Sequence, residues 1–166
     1  TGRSEKMSPA ENFQFINEYL SRMEPIIRKY NGFIDKYVGD EIMALFPTHA
    51  DDAIQCGIAM IYELRVYGEV LKQHKTEPIE IGIGLNTGVL MLGTVGGQDR
   101  MNSTVISDAV NLASRVEKDT KASGAPFMIT KETYDALRDP SNYAVRKLGR
   151  KMYRGKSTYT EVYEVF

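Results

Sequence analysis

The chain has one cysteine, Cys56, in 166 residues, so an intrachain disulfide is excluded. It has only two histidines, His49 and His74, and no zinc-ligand set can be assembled from them. A reducing compartment fits this usage. An excess of one charge is missing as well: 21 Lys and Arg stand against 22 Asp and Glu, a net charge of -1. The whole-chain field that gathers proteins onto nucleic acid or acidic membrane is therefore absent, and the expectation is no nucleic-acid partner and no direct membrane contact by this domain. No run approaches the roughly 20 apolar residues that cross a bilayer, and Thr1 to Pro9 lacks the apolar centre of a signal peptide. Gly88 to Gly93 has Walker-loop spacing but no following Lys, and Gly82-Ile83-Gly84 lies inside a strand pattern, so neither is a phosphate-cradling loop. Ser/His/Asp and Cys/His nucleophile arrangements have no support. What remains is ordinary soluble composition, 42% hydrophobic and 26% charged, at the length of one domain spanning 1–166.

Hydrophobic periodicity supplies the elements. Ser8-Pro9-Ala10-Glu11 combines a capping box with proline at the first helical position, and Phe13, Ile16, Leu20, Met23 and Ile27 continue one apolar stripe to Asn31-Gly32. Pro25 is expected to kink that helix. Phe33 to Val38 and Glu41 to Phe46 flank Gly39-Asp40 and predict a β-hairpin. Helical spacing over Asp51 to His74 follows, with Cys56 in or beside the packing, and then Ile79 to Leu85 and Val89 to Val95 predict a second hairpin around Thr87-Gly88. Ser107 and Asp108 cap a helix bearing Leu112 and Val116, and Phe127 to Thr130, Tyr143 to Leu148 and Thr160 to Phe166 look like strands. Interleaved helices and hairpins predict an α+β sandwich with a largely antiparallel sheet and helices packed on it.

Three places could carry chemistry. Lys36 and Asp40 flank the first hairpin turn, where turn chemistry alone would also account for them. Asn111 and Arg115, four residues apart, share a helix face that could hold a phosphate and a sugar. A plain surface pairing of Arg115 with Glu117 or Asp119 would explain that arginine equally well. Arg146, Lys147, Arg150, Lys151, Arg154 and Lys156 form a basic run without an acid, suited either to a solvated strand face or to a polyphosphate.

Together, Asn31-Gly-Phe-Ile-Asp-Lys-Tyr-Val-Gly-Asp-Glu-Ile-Met-Ala-Leu-Phe46 and Arg100-Met-Asn-Ser-Thr-Val-Ile-Ser-Asp-Ala-Val-Asn-Leu-Ala-Ser-Arg115 resemble the class III nucleotidyl cyclase catalytic domain, adenylyl type. The opening Ser8-Pro9 and the ending Tyr153-Arg-Gly-Lys156 extend the resemblance over essentially the whole chain. It implies a ferredoxin-like cyclase sandwich that converts ATP to 3′,5′-cyclic AMP and pyrophosphate at a homodimer interface. It also implies two divalent metal ions, Mg or Mn, with Asp40 as their ligand. Lys36 and Thr104 would face adenine as donor and acceptor, Asn111 would orient the ribose, Arg115 would stabilise charge on the α-phosphate and Arg154 would hold the terminal phosphates. Guanylyl cyclases resemble one another in carrying an acid and often a cysteine where Lys36 and Thr104 stand, which favours ATP.

Two departures from the family pattern accompany the resemblance. Ser107 replaces the usual glycine, and the strand bearing the family's first metal-binding aspartate, just before the position of Thr1, is not in the chain. The expectation is a truncated piece of a longer regulated protein, with Thr1-Gly2-Arg3 as vector remnant and no turnover by the piece itself. The whole protein would be cytoplasmic in this domain, membrane attachment elsewhere staying open. Alternatives are a noncatalytic nucleotide-binding or dimerisation module, a guanylyl cyclase and, from Val38-Gly39-Asp40-Glu41, a diguanylate cyclase.

Overall fold

A computed structural model describes residues 8–74, 76–95 and 102–166. Helix α1, Pro9–Lys29, starts as its sequence dictates: Ser8 Oγ accepts the Glu11 amide while the Glu11 carboxylate accepts the Ser8 amide. It continues through Pro25 and buries Tyr19, Met23 and Ile27. Strands β1, Phe33–Val38, and β2, Glu41–Leu45, form the expected antiparallel hairpin around Gly39, whose φ of 64° is the left-handed value that turn requires. Helix α2, Ala50–Gln73, then lies on α1, where Leu64 packs with Tyr19 and Met23. At that contact Arg22 pairs with Glu63 at 3.1 Å and stacks over Tyr67 at 3.7 Å.

The remaining elements are β3, Ile83–Leu85; β4, Met91–Val95; β5, Asn102–Ile106; α3, Asp108–Ser123; β6, Phe127–Thr130; α4, Lys131–Asp135; β7, Val145–Lys151; and β8, Thr160–Val165. Their main sheet runs β3-β6-β8-β7, parallel at β3-β6 and antiparallel elsewhere. All four residues of β6 are buried, and strand alternation sends them to opposite faces. Phe127 and Ile129 join Ile54 of α2 on one face, while Met128 joins Leu112 and Val116 of α3 on the other. Burial of each such large side chain contributes about 1.5–3 kcal/mol, so β6 is the strand that holds both helical layers. Cys56 is part of the α2 packing, its thiol against the Met60 sulfur at 3.7 Å, and burial pushes that thiol up to about 12.

The sandwich agrees with expectation, but the second hairpin does not. Ile79 and Ile81 pack beside Tyr19 and Met23 outside any strand, and of that predicted strand only Ile83–Leu85 pairs in a sheet. Strand β3 pairs in parallel with β6, and β4 pairs instead with β5, a strand the periodicity did not suggest. The cause lies in the connecting residues: Asn86 donates to the Ala109 carbonyl at 3.0 Å and accepts from Thr130 at 2.7 Å, and the Thr87 hydroxyl meets that of Thr133 at 3.1 Å. These bonds tie residues 86 and 87 to α3 and α4, so they do not close a turn between neighbouring strands. Among the described residues no helix is long and apolar enough to cross a membrane.

Candidate active site

Helix α3 organises the site. Ser107 caps it, accepting the Ala109 amide, and its hydroxyl donates to the Val89 carbonyl at 2.7 Å. One face of α3 looks at the β1-β2 hairpin, with Ser114 donating to Glu41 at 3.4 Å. Glu117 lies on the same side: burial, then the charges of Glu41 and Asp40, raise its carboxyl above the usual range against the opposing pull of Lys118. The hydroxyl of Tyr19 is pushed up to about 12 by burial and by the charges of Asp40 and Glu117. A negative field therefore surrounds Asp40, which is exposed at the hairpin tip.

Arg115 is about 100° round the helix from Ser114 and points elsewhere. With Lys118, Lys151 and Arg154 it lines a groove of about 410 Å³ between α3 and the end of β7. Its Nη1 is buried and, among the described residues, has no hydrogen-bond partner. Gly155 lies against the guanidinium, where a side-chain carbon at that position would stand 3.4 Å from Nη2. A buried, unpaired guanidinium nitrogen is costly unless something anionic completes it, and the groove beside it is lined by further cations. Neither Glu117 nor Asp119 neutralises Arg115 in the way a surface pair would. Asp119 instead accepts from Lys151 at 2.7 Å and from Tyr153 at 3.0 Å.

The structure thus brings Arg115 and Arg154 together and places Asn111 one turn earlier on the same face, exposed. Lys36 and Asp40 sit on the hairpin, away from that groove's lining. Thr104 lies opposite Gly93 in the β4-β5 pair, and its side chain falls outside the described part, as do Thr1, Gly2 and Arg3. In β1 the ladder skips between Ile34 and Lys36, a bulge at Asp35, whose side chain is buried with its carboxylate 3.4 Å from Lys36 Nζ.

The basic run divides. Arg146 pairs with Glu164, Lys147 with Glu161 at 2.8 Å, Arg150 lies 3.9 Å from the same Glu161 carboxylate, Lys151 pairs with Asp119 and Lys156 with Asp108, while Arg154, with the Asp119-bound Lys151 beside it, lines the groove with Arg115. The sequence named Asp119 only as a possible surface partner of Arg115, and Tyr153 and Gly155 only as part of the chain's ending, with no role in the groove for any of the three. For the implied metal ions the donor chemistry at Asp40 fits, since an exposed oxygen ligand in a negative field suits a hard cation that takes its other ligands from substrate phosphates. Among the described residues no group of three acid, His or Cys side chains is arranged as a metal cage.

Comparison with known proteins converges on one family. The model of the adenylate and guanylate cyclase catalytic domain matches residues 1–165. An adenylate cyclase of Anabaena cylindrica is 40% identical over 171 residues, covering 99% of this chain and 34% of the relative. The chain thus spans about a third of that protein. The crystal structure of the adenylyl cyclase CyaB from P. aeruginosa superposes with a TM-score of 0.80 at 34% identity, over 99% of this chain and 87% of that one. The guanylyl cyclase Cya2 superposes at 0.81 with 29% identity, over 98% and 83%.

Proposed function

This chain belongs to the family of adenylate and guanylate cyclase catalytic domains, and we propose that, as the catalytic part of a longer full-length protein, it forms 3′,5′-cyclic AMP and pyrophosphate from ATP in a site shared by two copies of the chain. The observation that carries the reading is the buried, unpartnered Nη1 of Arg115 beside Arg154 in one cationic groove. In this reading the substrate's 3′-hydroxyl attacks the α-phosphorus and the bond to pyrophosphate breaks. Arg115 meets the charge that grows on the α-phosphate, and Arg154 holds the terminal phosphates. Asn111, one turn from Arg115, orients the ribose through its carboxamide. Lys36 donates to adenine N1 and Thr104 accepts from the N6 amine, a pairing that guanine reverses.

Asp40 would hold the divalent ions, Mg or Mn, which when bound would gather the triphosphate and lower the pKa of the attacking hydroxyl. Asp40 and Arg115 act from different sides of α3, the one toward Glu117 and the other toward Arg154. That separation supports a division of labour in which one copy supplies Asp40 and its partner supplies Asn111 and Arg115. Regulatory domains outside this chain would set how the two copies meet.

The test, made in the full-length protein, mixes an Asp40→Ala chain with an Arg115→Ala chain. Each alone should lose about 100-fold or more, the usual cost of removing a contact made in the transition state. The mixture should regain cyclic AMP formation through one intact site per mixed dimer. Verified mixed dimers that stay inactive would overturn the shared site, and a full-length wild-type protein that binds ATP without turnover would make the domain a nucleotide-binding or dimerisation module.

A further inference from the structure

The turn that carries Arg154 is fastened to α3 on both sides of that residue. Before it, Tyr153 is buried among Leu112, Val116 and Met128, and its hydroxyl donates to Asp119 Oδ2 at 3.0 Å. Lys151, two residues earlier, donates to the same oxygen at 2.7 Å and also to Ser123. After it, Gly155 lies on the Arg115 guanidinium and Lys156 donates to Asp108 at the start of α3. Asp119 follows Arg115 by one helical turn, the spacing at which a carboxylate and a guanidinium ordinarily pair and cancel. Here both donors converge on a single Asp119 oxygen, and Arg115 keeps a nitrogen without a partner. The arrangement does two things at once: it locks the turn that presents Arg154, and it spends the carboxylate nearest along the helix on groups other than Arg115.

We propose that Asp119 is a positioning residue for phosphate recognition: it clasps Tyr153 and Lys151 so that Arg154 and Arg115 face one groove with their charges available. This rests on the reading of Arg115 and Arg154 given above, and touches neither the purine nor the metal ligand.

A double-mutant cycle between Asp119→Ala and Arg154→Ala tests it. Asp119→Ala alone should lower kcat/KM for ATP about tenfold, while in the Arg154→Ala background it should cost less than about twofold, because residues acting through one another are not additive. Binding of inorganic pyrophosphate with Mg, measured by calorimetry, should follow the same cycle without needing turnover. Thermal unfolding should respond to Asp119→Ala equally in both backgrounds, since stability does not pass through Arg154. If Asp119→Ala fails to fold, Tyr153→Phe, which removes only the hydroxyl, enters the cycle in its place with the same expected pattern.

Losses in kcat/KM or in pyrophosphate affinity that simply multiply would overturn the clasp, as would wild-type values in the single clasp variant. Wild-type kcat/KM and pyrophosphate binding in both Arg154→Ala and Arg115→Ala would instead show that the phosphate site itself has been misplaced, and the clasp would fall with it.

Discussion

Gly155 rests on the guanidinium of Arg115 in a left-handed conformation, φ 78°, with an added side-chain carbon 3.4 Å from Nη2. That is ordinary contact, so alanine would fit beside Arg115 but not on that backbone. Relaxing φ would drag the turn and Arg154 with it. Gly124, the α3 cap, has a similar φ of 61° with nothing within 4 Å. Alanine at either position should cost about 1–2 kcal/mol, the penalty of a side chain in left-handed backbone. Only Gly155→Ala should also lower ATP turnover. Equal activity of the two variants, measured at matched folded fraction, would detach the turn from the site.

Purine choice should lie in Lys36 and Thr104, whose donor and acceptor complement adenine. The double variant Lys36→Glu with Thr104→Cys should weaken ATP use by about 1–3 kcal/mol, the cost of leaving a polar site group unpaired, and should gain GTP turnover. Competition between the two nucleotides at fixed concentration is the measurement. An unchanged ATP preference would remove both residues from the base pocket.

How far this was legible in the sequence depends on the range of the interactions. Local signals read true at the Ser8–Glu11 capping box and the Gly39-Asp40 turn, which are set within a few residues, while the predicted stripe holds at Met23 and Ile27 but not at Phe13, which is exposed where Tyr19 is buried instead. The partner of β3 was not legible, because the bonds from Asn86 and Thr87 that decide it reach residues 109, 130 and 133. The basic run likewise read as one feature, since the acids that divide it, Asp108, Asp119, Glu161 and Glu164, come from α3 and β8. Asn111 and Arg115 were visible from spacing alone. That Arg115 lacks a partner depends on where Asp119 turns, which is a tertiary fact.

Acid should loosen the join between α2 and the segment after α4. The Asp51 carboxylate accepts from the Arg138 amide at 3.1 Å and from the Tyr143 hydroxyl at 2.9 Å. Burial pushes its pKa up, but these hydrogen bonds together outweigh burial and hold it below the usual carboxylate value. A depressed carboxyl stabilises the fold above its unfolded pKa of about 3.9, and that contribution disappears as pH falls through the lower folded value. Asp51→Asn should therefore lower the unfolding midpoint at pH 7 and flatten its fall below about pH 4. Parallel midpoint curves for variant and wild type across that window would sink the assignment.

The sharpest structural test lies under α3. Gly84 sits in β3 where α3 crosses it, and a side-chain carbon there would stand 2.3 Å from the Glu117 amide nitrogen and 2.6 Å from the Ala113 carbonyl oxygen. Both neighbours are backbone, so no rotamer change can relieve the contact and α3 as a whole must move. On the other face of the sheet a side-chain carbon added at Gly57 of α2 would stand 2.4 Å from the Phe127 ring, a side chain that can tilt within the core. Overpacking of either kind costs about 1–3 kcal/mol, so Gly84→Ala and Gly57→Ala should both lower the unfolding midpoint. Their effects on activity should diverge. Displacing α3 shifts Asn111 and Arg115 against the hairpin that bears Asp40, and misplacing reacting groups by about 1 Å can cost 100-fold. Gly57→Ala should keep turnover near wild type once corrected for folded fraction, whereas Gly84→Ala should lose it. If the two variants lose stability and activity in the same proportion, the close approach of β3 and α3 serves packing alone and the helix does not set the geometry of the site.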